Sequence, residues 1–204
     1  MTRPFRQQID EGILDRAAAI FARRGFAKTS VQDVADAVGL SKAGLLHHFR
    51  SKEQLHDAVV AQSTALGRQL LDAVDTLPPG FDRDRRTVEV VVDIALAHPG
   101  VVSLLLTPIT ADPGQQAPHD PEDAASMAML AFGVDPDAVA ETDPERVVRV
   151  IGALAGLAVL ALAATEEGLT TAWRPLMVAT ALDALGHSTA RTPDRSPAHP
   201  SMEA

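Results

Sequence analysis

Three of the seven histidines, His47, His48 and His56, lie close together in the chain. Imidazoles at such spacing can ligate a metal or move a proton. The neighbours do not complete either site. His47 and His48 are consecutive, and on a helix they point about 100° apart, too far to share one ion. His48 and His56 fall on different helices, with no acidic or cysteine partner at ligand spacing. No nucleophile or second carboxylate stands with them for acid–base work. No catalytic residue, metal ligand or cofactor site is therefore assigned. A metal-dependent hydrolase built on these histidines is the enzyme alternative, and it requires stoichiometric bound metal. The histidines need another explanation, which depends on the elements that carry them.

The 204 residues suit one medium domain, or a small domain joined to a larger one, with enough chain to bury a core. There is no cysteine, hence no disulfide framework or thiolate zinc site. There is also no tyrosine, so the core must be built from Ala, Leu, Val and Ile. The polar start, MTRPFRQQIDEG, does not read as a signal peptide. The longest uncharged apolar run, Val150 to Thr165, is shorter than the roughly 20 residues that span a bilayer. It holds Gly152 and Gly156 at GxxxG spacing, and a buried helix of a soluble, cytoplasmic protein is expected there rather than a membrane span.

A net charge of −9 argues against a nucleic-acid partner until its distribution is read. Residues 1–55 carry nine Lys/Arg against six Asp/Glu, a balance of +3, and the remainder carries −12. All three lysines, Lys28, Lys42 and Lys52, lie in the first part. A basic head on an acidic body fits a head that meets a polyanion.

The apolar periodicity is helical throughout, and no strand pattern is sustained. The first helix is expected from about Arg6 to Arg24, with Ile9, Ile13, Ala17, Ile20 and Phe21 on one face and Gly25 as its stop. Ser30 caps a second helix, with Asp33 as a capping-box partner, and Gly39 ends it. Ser41 caps a third, about Lys42 to His48, and Ser51 caps a long fourth that ends before LPPG. Further helices are expected near 83–97, 100–106, 121–132, 144–166 and 170–186. Pro108 to Pro121 reads as a loop. Residues 188–204, rich in Ser, Thr and Pro, read as a disordered tail. The domain reading is 1–50, 51–187 and the tail.

The second helix, the short turn VGLS and the third helix form a helix-turn-helix. The second helix of such a unit enters the major groove with its N-terminal residues toward the bases, here Lys42, Ala43 and Gly44. Lys42 can donate to guanine, and the near-absence of side chains at 43 and 44 lets the backbone come close. Thr29, Ser30 and Ser41 stand at helix N-termini that attract an anion, which makes them candidates for phosphate contact. His47 can donate to a phosphate in either protonation state. His48 is divided between a phosphate contact and a structural place between helices, and His56 is read as a surface or interhelix residue. MTRPFR is read either as an arm, with Arg3 and Arg6 reaching a groove, or as an untethered N-terminus.

The run FAKTSVQDVADAVGLSKAGLLHHFRSKEQL, Phe26 to Leu55, closely resembles the DNA-binding domain of TetR-type bacterial transcription regulators. The likeness covers about residues 7–60. It includes the phenylalanine and glycine ending the first helix, Thr29, DVADAVG, SKAG, HHF and SKE. It implies an all-α chain in which an N-terminal helix-turn-helix domain precedes a larger helical domain. The implied function is a repressor on a palindromic double-stranded DNA operator, released by a small-molecule effector. Lys52 resembles the lysine that grips the backbone in such proteins. Leu46 and His47 depart from the family, which often has backbone-touching tyrosines there. Leu46 cannot hold a phosphate.

Two half-sites extend the few base pairs one such unit reads, so a homodimer is expected. The expected interface is the pair of helices near 144–166 and 170–186, through Val147, Ile151, Leu154, Ala155, Trp173, Leu176, Met177 and Leu182. The resemblance further implies an effector pocket enclosed by the fourth to seventh helices. Gln62, Leu66, Leu70, Asp93, His98, Leu105, Met127 and Leu130 are its candidates. Scarce aromatics point to a small apolar or amphipathic ligand. A DNA-binding architectural protein without an effector is the alternative, and a body with no cavity would favour it.

Overall fold

The structure is a computed structural model that describes residues 3–106 and 123–187, with side chains from residue 7 onward. The expected loop at 108–121 and the expected tail at 188–204 lie outside the described residues. Among the described residues there are nine α-helices, one 3-10 turn and no strand. The helices are α1 (Arg3–Arg24), α2 (Val31–Ala37), α3 (Lys42–His48), α4 (Lys52–Asp72), α5 (Phe81–Ala97), α6 (Pro99–Leu105), α7 (Ala124–Ala131), α8 (Pro144–Glu166) and α9 (Thr170–Ala184). The 3-10 turn, Pro136–Glu141, was not expected. The backbone of residues 3–6 continues α1 rather than trailing from it as an arm.

The N-terminal core gathers Ile13, Ala17, Ile20 and Phe21 of α1 with Val34, Ala35, Leu45 and Phe49. Leu55 and Val59 of α4 complete it, and so does Val101 of α6. Packing is therefore continuous across the boundary expected at residue 50. Further along α4, Leu70 belongs to a separate cluster with Val90 and Ala131. Gly67 lets α4 meet α7 closely, because a Cβ there would stand 2.8 Å from Met127 Sδ.

The larger core lies between α5, α8 and α9, where Val88, Val92, Val150, Leu157, Met177 and Leu182 are buried. Helix α8 is long and apolar enough to cross a membrane. In this fold Val147, Val150, Ala153, Leu157, Ala161 and Ala164 of α8 are buried in the body.

A polar knot closes the far end of the body. Asp84 on α5 is 2% exposed and accepts two bonds from Arg146 of α8, at 2.8 and 2.6 Å. Arg146 also donates to the Phe132 carbonyl, and His187 Nε2 lies 2.6 Å from Asp84. A buried carboxylate is tolerable only when so partnered.

Candidate nucleic-acid interface and apolar cavity

The recognition unit is held by local chemistry. Ser30 Oγ accepts from Asp33 N–H at 3.1 Å, and Asp33 Oδ2 accepts from Ser30 N–H at 2.8 Å, a complete capping box. At the other end of α2, Gly39 takes φ +70°. Its N–H then reaches Asp36 O and Leu40 N–H reaches Ala35 O, the paired bonds of a Schellman turn. The chain can thus reverse within four residues and begin α3 at Ser41, whose Oγ accepts from Gly44 N–H at 3.0 Å. Leu45 (1% exposed) and Phe49 anchor α3 from below. Lys42, Ala43 and His47 are exposed, and Gly44 is half-buried beside Ser41. A short helix with a basic, nearly side-chain-free first turn facing solvent suits a groove.

The candidate phosphate contacts divide. Ser41 and His47 stand exposed beside the Lys42 end and along α3. Thr29 must be corrected: it is 2% exposed, its hydroxyl donates to Gly25 O at 2.9 Å, and its N–H bonds Phe26 O. It stitches the turn after α1 and offers nothing outward. Ser30 is exposed but engaged with Asp33. Asp33 already sets a carboxylate at the α2 N-terminus, and the hydrogen bonds from Ser30 hold that carboxyl below its ordinary range. The anion site is filled from within.

His48 Nδ1 lies 2.6 Å from Asp10 Oδ1 of α1, which ties α3 to α1. With Nδ1–H given to a carboxylate, neutral His48 has no proton left to donate to a phosphate. Lys52 Nζ donates to Phe26 O at 3.0 Å and sits 4.1 Å over the Phe26 ring, bracing the same turn that Thr29 stitches. His56 wedges edge-on against Phe21 and Phe26 at 5.6 and 4.8 Å, an interhelix role. The three histidines thus have three different settings, and among the described residues no group of three potential ligands could hold a metal.

Behind the head is a cavity of about 370 Å³ bounded by α4, α5, α6, α7 and α8. Of the candidates for it, Leu66, Leu70 and Leu105 line it. Gln62, Asp93, His98, Met127 and Leu130 do not. Asp93 lies on the surface, paired with Arg174 at 2.6 Å, which holds its carboxyl below the ordinary range. His98 caps the bend between α5 and α6, and Met127 packs on Gly67. Of the residues expected at a dimer interface, Leu154 and Ala155 line the wall, and Ile151 both lines it and stays half exposed.

Other residues expected at the interface are buried within the chain. Val147, Met177 and Leu182 are core residues, at most 7% exposed, and Trp173 is half-buried against that core. The outward apolar stripe is Val148 (70% exposed), Ile151 and Val159 of α8, with Leu176 of α9. Gly152 and Gly156 lie on this face with nothing within 4 Å of where a Cβ would stand.

Sequence reasoning missed the joint between head and cavity. Asp15 of α1 accepts from Gly100 N–H at 2.8 Å and Val101 N–H at 3.1 Å, capping α6 from another helix. Gly100 is required there, since a Cβ would collide with the Asp15 carbonyl. Val101 belongs to the N-terminal core and also lines the cavity. An acid on α1 reads as solvated until α6 is placed against it.

A capped, two-helix reader on a three-helix head defines a helix-turn-helix DNA-binding domain. Residues 13–59 match the model of the tetR family of bacterial regulatory proteins. Over 48 residues it is 48% identical to the HTH-type transcriptional repressor KstR2 of Rhodococcus jostii, covering 24% of each chain. Over 72 residues it is 32% identical to the probable acrEF/envCD operon repressor of Escherichia coli, covering 35% of this chain and 31% of that one. The matched part is thus about a quarter to a third of these relatives' length. A TetR-family regulator from Pectobacterium atrosepticum aligns over 93% of this chain and 98% of its own, at 27% identity and a TM-score of 0.42.

Proposed function

We propose that the chain is a homodimeric transcriptional repressor that binds a palindromic operator and is released by a small molecule. The observation that carries this is the exposed Lys42–Ala43 turn of α3 on a TetR-family domain. The relatives named above are themselves called repressors. Lys42, Ala43 and Gly44 are assigned to the bases, and Ser41 and His47 to phosphates. The apolar stripe on α8 and α9 supports a two-fold four-helix contact between chains. The head, 1–50, and the body, 51–187, are the working units of a cytoplasmic protein. This reading makes the chain a regulator rather than an enzyme.

Release requires that the ligand favour one of two arrangements of the heads. Helix α6 supports this role, because it walls the cavity with one face and meets α1 through Asp15 with its N-terminus. The cavity favours the effector reading over an architectural protein. A reporter gene behind the chain's selected operator tests the reading. Transcription should fall when the chain is expressed; unchanged or raised transcription contradicts repression.

A further inference from the structure

Among the described residues, the cavity wall is aliphatic throughout, with no charged side chain, hydroxyl, amide or ring. Leu66, Val91, Val102, Met129 and Leu154 are typical of it. Any hydrogen-bonding group of a ligand would lose its hydration there without compensation. The volume, about 370 Å³, is at the small end of ligand sites.

Free backbone N–H groups at a helix N-terminus are the other device that could hold an anion. Val101 and Ala124, in the first turns of α6 and α7, line the cavity. Both of those N-termini are already occupied by the chain's own carboxylates. Asp15 Oδ1 accepts from Gly100 and Val101 N–H at the start of α6, and Asp123 Oδ1 accepts from Ser126 N–H at 2.6 Å at the start of α7. An anionic ligand would meet negative charge at both places. Neither Asp15 nor Asp123 lines the cavity, and Asp93 is paired with Arg174 on the surface. A cation therefore finds no counter-charge in the wall either.

We propose that the cavity takes an uncharged hydrocarbon carrying no hydrogen-bonding group. This rests on the effector reading for its biological meaning but not for its chemistry. Binding to the full chain tests it with cyclooctane, cyclooctanol, cyclooctanecarboxylate and cyclooctylammonium. A dry cavity of ~150 Å³ already takes benzene, so eight carbons fit here. Headspace partition reads the first two ligands, and calorimetry reads the ions. Cyclooctane should bind roughly fivefold or more tighter than cyclooctanol, because the hydroxyl is buried without a partner. The two ions should not bind. Ala128→Phe, from α7, and Ala158→Phe, from α8, each fill the cavity, and either should abolish cyclooctane binding while the melting transition shows a folded chain. The four-ligand comparison on the unmodified chain stands even where a filled variant fails to fold. A cyclooctanol affinity within fivefold of cyclooctane's, binding by either ion, no binding of cyclooctane, or undiminished binding in a folded filled variant overturns the proposal. Operator release is read separately: cyclooctane that binds as expected yet leaves the DNA complex intact refutes the effector role and not the ligand chemistry.

Discussion

In the proposed reading Lys42 meets the bases, whereas Thr29 holds the turn after α1 together. Lys42 is exposed in the first turn of α3, so Lys42→Ala should relax base preference at one position in each half-site by about 1–3 kcal/mol. Affinities for operators substituted position by position measure this, and an unchanged preference would remove Lys42 from the base contacts. Thr29 is buried and donates inward, so Thr29→Val should cost about 1 kcal/mol of stability in urea titrations. The salt dependence of its DNA binding should stay as in the wild type. A shallower salt slope would return Thr29 to the phosphate contacts. The caps Ser30, Ser41 and Ser51 were legible in the sequence because a cap is satisfied within three residues. The tie from His48 to Asp10 was not, because its partners are 38 residues apart and either reads alone as a surface group.

At the scale of elements, the joint between α1 and α6 sets how the head rides on the body. Burial raises the Asp15 carboxyl above its ordinary value of 3.8, outweighing the two amides that lower it. The folded chain therefore holds this proton more tightly than the unfolded chain does. That contribution is complete below 3.8 and is lost as pH rises through the raised folded value. Asp15→Asn keeps an oxygen for both amides and cannot ionise. Relative to this variant, the wild type should lose stability as pH climbs from 3.8 toward neutral, measured by denaturant titrations across that range. A difference growing in the opposite direction would contradict the burial account. Helix positions were legible from periodicity and breakers; α8, bounded by Pro144 and Glu166, falls where its pattern put it. The α6 joint was not, because Gly100 is explained only by the Asp15 backbone it touches.

For the whole molecule, the proposed pairing of two chains rests on the exposed apolar stripe of α8 and α9. Val148→Glu places a carboxylate on the stripe without touching the core. It should shift light-scattering mass from dimer to monomer and weaken operator binding, with monomer stability changed by no more than about 0.5 kcal/mol. A variant that remains dimeric would move the interface elsewhere. The cavity and the apolar stripe proposed as an interface were the least legible parts. Both are built from the same aliphatic residues as the core, and a helix apolar nearly all round does not say which side meets what. Ile151 shows the difficulty, since it is half exposed on the stripe and also lines the cavity.

Selection of bound sequences from a random duplex pool, with the mass of the complex measured on the winner, decides whether two chains read one operator. The expected winner is an inverted repeat with half-site centres about 34–36 Å apart, or a multiple, bound by two chains. A pool that enriches no sequence, or a single unrepeated site bound by one chain, would contradict it.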